Sequence, residues 1–209
     1  MDGRGKVEMM RAACLTLTEG IQSVEGERLA VTLRSYLPVD GPSVLRRRSV
    51  EGLAQYVQLL ASWETWTAAF GIFAAALLAK LGHCTAEVLW DTIRDCLKRD
   101  DAKPLADVSK ALSNAGRASS AQIFIGLDFP ESHCDATLVI SESAPEQIAY
   151  SLARFVNMAE KIFLLVSKEI DAGHCPLARA FILFSEDGSV QLRWMTQDLK
   201  ERKLQIPED

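Results

Sequence analysis

The chain has 209 residues, 48% hydrophobic and 24% charged, which is ordinary for a folded globular protein and excludes a disordered chain. A net charge of −5 argues against a general nucleic-acid binder, which needs a cationic surface. Five cysteines lie at wide intervals, and no apolar run follows the polar residues 1–6, so the expectation is a cytoplasmic protein with reduced thiols and no secretory signal.

Residues 13–18 (ACLTLT) and 29–35 (LAVTLRS) alternate and carry β-branched side chains. With Gly20 and Gly26 between them they predict a small β-hairpin at 13–35. Pro38, Gly41 and Pro42 then read as a break. Arg46, Arg47 and Arg48 form a short basic run, of a kind that is ordinarily solvated surface. Ser49 follows as a suitable helix N-cap. Val50, Leu53, Ala54, Val57, Leu60 and Ala61 recur at helical spacing and predict a helix there.

The central segment is the most unusual. Residues 65–79 contain no charge. On a wheel of about 100° per residue, Ala68, Gly71, Ala75, Ala79 and Gly82 share one arc. Phe70, Phe73, Leu77, Leu81, Cys84 and Val88 share the opposite one. A helix apolar on both sides is expected to be buried in protein or lipid. The small arc lets a second backbone approach closely, so these five small residues are the candidate interaction residues, set against another helix. The alternative is a membrane-associated protein inserting residues 65–82. Against it, 15 uncharged residues reach only about 22 Å, short of the roughly 30 Å of hydrocarbon.

Leu89, Ile93, Cys96 and Leu97 mark a further amphipathic helix. Pro104 opens another, with Leu105, Val108 and Leu112 inside and Gly116 at its end. After the linker RASS at 117–120 the pattern changes to strands at 122–129 and 136–141. Pro145 starts the best amphipathic helix, to about Asp171, on the face Ile148, Leu152, Phe155, Ala159, Ile162, Phe163, Val166 and Ile170. Residues 178–184 and 189–196 read as a hairpin across Gly188, and Leu204–Ile206 as an added edge strand. The fold class is α+β. A mainly helical region, 1–116, precedes a β-β-α-β-β antiparallel sheet covered by one long helix, 117–209; the alternative is one compact domain comprising both.

No phosphate-binding loop, dinucleotide fingerprint, nucleophile elbow or paired-cysteine metal motif is present in the sequence. All three histidines precede a cysteine: His83-Cys84, His133-Cys134 and His174-Cys175. These are zinc-ligating types, and they carry a second alternative, a zinc- or thiol-dependent enzyme. Adjacent residues rarely ligate one ion, and structural zinc ligands are usually two to four residues apart. The expectation is therefore no metal, no cofactor and no catalytic residue. Asp128, Glu131 and Asp135 cluster at a turn and are expected to be solvated. The function expected is that of a non-enzymatic intracellular adaptor or accessory protein. It would bind another protein or a second copy of itself, with no nucleic acid. The membrane alternative would place it on a peripheral or inner membrane.

Overall fold

A computed structural model describes residues 12–18, 23–45, 55–82, 85–141, 144–185 and 189–206. The arginine triplet 46–48 and the pair His83-Cys84 lie outside these residues. In chain order the elements are β1 (Ala13–Thr18), α1 (Ser23–Arg34), β2 (Val39–Leu45), β3 (Tyr56–Ala61), α2 (Trp63–Leu81), α3 (Ala86–Leu97) and α4 (Lys103–Ser119). They continue with β4 (Gln122–Phe129), β5 (Cys134–Ile140), α5 (Pro145–Asp171), β6 (Pro176–Phe184), β7 (Val190–Thr196) and β8 (Glu201–Ile206). All eight strands form one mixed sheet in the order β2-β1-β3-β4-β5-β6-β7-β8, so the fold is α+β. The sheet runs continuously across residue 117, because β3 pairs in parallel with β4 from Tyr56↔Gln122 to Ala61↔Leu127.

Alternation along each strand separates two faces of the sheet. Ala13, Leu15 and Leu17, then Val57, Leu59 and Ala61, then Ile123, Ile125 and Leu127 are buried on the helix-covered face. The side chain of Ile123 lies against Gly116 of α4, and Phe129 stacks on Phe163 of α5 with centroids 5.3 Å apart. The other face carries Cys14, Thr16, Phe124, Arg179, Phe181, Arg193 and Met195, none of them buried.

Four expectations change. The hairpin at 13–35 is instead β1, then α1, then β2 paired in parallel with β1. Val31 and Thr32 look like strand residues, but they sit on the outer side of α1 while Leu29, Ala30 and Leu33 are buried. Gly26 lies inside that helix, where a Cβ would come within 2.4 Å of the Leu17 side chain. The proline break is strand β2, which tolerates Pro42 because it forms the sheet edge. The helix expected up to Ala61 is replaced over its described part by β3, where the buried apolar set is Val57, Leu59 and Ala61 at a period of two. Finally, the C-terminal strands are not all antiparallel: β5 and β6 are parallel, joined by the 27-residue helix α5. A crossover of that length is what a parallel pair requires.

Candidate interaction surface

Helix α2 begins at Ser62, whose hydroxyl accepts from the backbone N–H of Thr65 at 3.3 Å. Its inner side holds Trp66, Phe70, Ala74, Leu77 and Leu81, all buried, and packs mainly along α5. The Trp66 indole N–H donates to the carbonyl of Gly126 at 2.9 Å, and its ring meets Phe155 edge-on at 5.4 Å. Gly126 itself has no room for a side chain between its neighbouring strands. A Cβ there would lie 2.6 Å from the carbonyl oxygen of Ala136 and 2.9 Å from the Leu60 side chain. These contacts fix which side of α2 faces outward.

The outward side contains the small arc. Ala68, Ala75, Ala79 and Gly82 are exposed and Gly71 is half-buried. The stripe therefore does not sit against a helix of this chain; the large arc does that, because Phe70, Leu77 and Leu81 bring more apolar area to α5. Ile72 stands at the centre of the outer side with 83% of its surface exposed, flanked by Ala68 and Ala76. Glu64 and Lys80 are exposed at its two ends.

A second uncovered surface is the open face of the sheet. Its middle is polar and closed. Asp135 on β5 accepts from Arg179 Nε at 2.6 Å and from the second guanidinium nitrogen at 2.9 Å. It also accepts from the Thr137 hydroxyl at 2.6 Å and from the Gln58 amide at 3.4 Å. The guanidinium of Arg179 lies over the Phe124 ring at 5.2 Å. A carboxylate with four donors is a structural tie between β3, β5 and β6. Asp135 is thus buried, contrary to the expectation of a solvated turn carboxylate. The period-two pattern of Asp135, Thr137 and Val139 was the available signal. Beyond the tie lies a shallow depression of about 520 Å³, lined by Leu177, Phe181, Leu183, Arg193, Met195 and Glu201.

The histidine–cysteine pairs separate into different environments. His133 is exposed in a left-handed turn, with φ 52°. Cys134 and Cys175 come together: burial, and then the neighbouring Cys175 thiol, push the Cys134 thiol up to about 12. A thiol held there is a poor nucleophile at neutral pH. His174 turns instead to Glu169, with Nδ1 3.1 Å from Oε2, and to Arg202. Its carbonyl accepts from the Trp194 indole at 2.9 Å. Among the described residues no three His, Cys, Asp or Glu side chains gather as a metal ion would require.

Compared with protein-family models, with curated proteins and with solved structures, the chain matches none.

Proposed function

We propose that this is a non-enzymatic interaction protein, working among reduced thiols in the cytoplasm, and that its contact element is the outer side of α2. One observation carries the reading: α2 has a large apolar side committed to the core and a second apolar side, centred on Ile72 at 83% exposure, outside it. An ordinary surface helix presents charged and polar residues there. The open β6–β7 depression adds aromatic, methionine and arginine side chains, types enriched at interfaces.

The test is Ala75→Glu, which places a charge on the outer side without touching the core. Circular dichroism and melting temperature should be unchanged, while association with the partner is lost. Unchanged association would reject α2 as the contact element.

The membrane reading has one observation in its favour. Trp63–Leu81 is the one described helix long and apolar enough to cross a membrane by length and composition. Insertion would strip Trp66, Phe70 and Leu77 from α5, and a soluble interaction element needs no such step. Flotation of the protein with lipid vesicles, abolished by Ala75→Glu, would favour the membrane over a protein partner.

A further inference from the structure

The outer side of α2 is close to palindromic about Ile72. Ala68 and Ala76 lie four residues before and after it, and Glu64 and Lys80 lie eight residues before and after it. At about 100° per residue, the two alanines sit roughly 40° to either side of Ile72, and the two charges roughly 80° to either side. Along the axis the charges are about 12 Å from the centre, in opposite directions. All five residues are exposed.

We infer that the occupant of this side is a second copy of the chain, lying antiparallel to the first across a two-fold axis beside Ile72, with the two helices crossed by about 50° so that the row Glu64, Ala68, Ile72, Ala76, Lys80 of one runs along the same row of the other. The inference rests on the proposed use of α2 and names its partner. In this register the two Ile72 side chains meet, and Ala68 of each copy meets Ala76 of the other. With that crossing, Glu64 of each copy faces Lys80 of the other, so the same complementary contact is made twice. A parallel pair about the same centre would set Glu64 beside Glu64 and Lys80 beside Lys80. Antiparallel packing also places each helix N-terminus near the other's C-terminus, as the helix dipoles favour. The alanines allow close backbone approach. An interface that repeats its own residues in reverse is the hallmark of an isologous dimer.

Sedimentation equilibrium over a range of concentrations, on the full chain, tests the register. The wild type should form dimers. Ile72→Glu, which sets two carboxylates on the axis, should leave monomers with the melting curve of the isolated subunit intact. Lys80→Glu should weaken the dimer about tenfold, since it creates two like-charge contacts at the rim. Adding Glu64→Lys to Lys80→Glu swaps both charges and should restore the wild-type affinity. A wild type that stays monomeric up to about 1 mM overturns the inference, as does a dimer indifferent to Ile72→Glu. A photo-crosslinking residue at position 72, used in the native lysate, separates the two levels of failure. If it captures only other proteins, the second copy is wrong and the interaction reading stands. If the protein is monomeric and position 72 captures nothing, both fall. Recovery of lipid adducts alone likewise overturns both.

Discussion

The two longest helices, α2 and α5, lie against each other and finish their outer sides differently. Helix α5 buries Ile148, Leu152, Phe155, Ala159, Ile162 and Val166, and exposes Asn157, Glu160, Leu164 and Lys168. It is an amphipathic helix whose outer side is charged and polar around one exposed leucine. Helix α2 buries Trp66, Phe70, Ala74, Leu77 and Leu81 against the same core, yet exposes Ala68, Ile72, Ala75, Ala76 and Ala79. Helices of similar burial can therefore differ in whether the chain itself satisfies both their sides. That difference is the reason to look for a second molecule at α2 and not at α5.

The sharpest way to break the comparison is at the shared seam. Phe155→Ala and Trp66→Ala each remove a fully buried ring from the edge-on pair and should cost about 3–5 kcal/mol in denaturant unfolding. Combined, they should fall short of additivity, because each removes the other's partner. Next in size is Asp135→Ala on the open face of the sheet. It leaves the Arg179 guanidinium without its carboxylate and should cost about 2–3 kcal/mol. Slightly smaller is Ala74→Leu, which adds bulk to a fully buried position of α2 and should cost about 1–3 kcal/mol. Its neighbour Ala75 points outward, so Ala75→Leu should shift the stability of the subunit by no more than about 0.5 kcal/mol. Equal costs at 74 and 75 in a monomeric variant would mean that α2 has no free side. The smallest effect is chemical. With its thiol held up near 12, Cys134 should resist alkylation at pH 8 while exposed Cys14 is labelled, as read by peptide mass mapping.

Helix α5 was legible from the sequence because one apolar face repeats over seven turns, and a proline marks its first turn. Strands β4, β5 and β7 were legible from alternation and turn residues. Strand β3 was not. Val57, Leu60 and Ala61 satisfy a helical period as well as Val57, Leu59 and Ala61 satisfy a strand period, and only pairing with β1 and β4 decides between them. Those partners lie far away along the chain, and no local signal carries them. The same holds for the parallel pairing of β5 with β6. At α2 the sequence revealed two apolar arcs but not which one the core would take. Burial of the bulky arc against Phe155, with Trp66 tied to the Gly126 carbonyl, made that choice and left the small one outside. The five small residues singled out are thus on one outer strip, with Ile72 at its edge as the exposed large side chain the pattern of small residues passed over. The histidine–cysteine pairs show the opposite limit: adjacency in sequence sent His133 to solvent and Cys134 inward.

A single cysteine at the proposed axis tests the central claim most directly. Ile72→Cys, on a background of Cys14→Ser and Cys84→Ser, places two thiols face to face only if two copies of α2 cross at that residue. Under mild oxidation by glutathione disulfide, the account predicts a covalent dimer that forms faster than with Thr67→Cys, a position about 140° round the helix from Ile72. A chain that remains uncrosslinked at position 72, or crosslinks no faster there than at position 67, would contradict it.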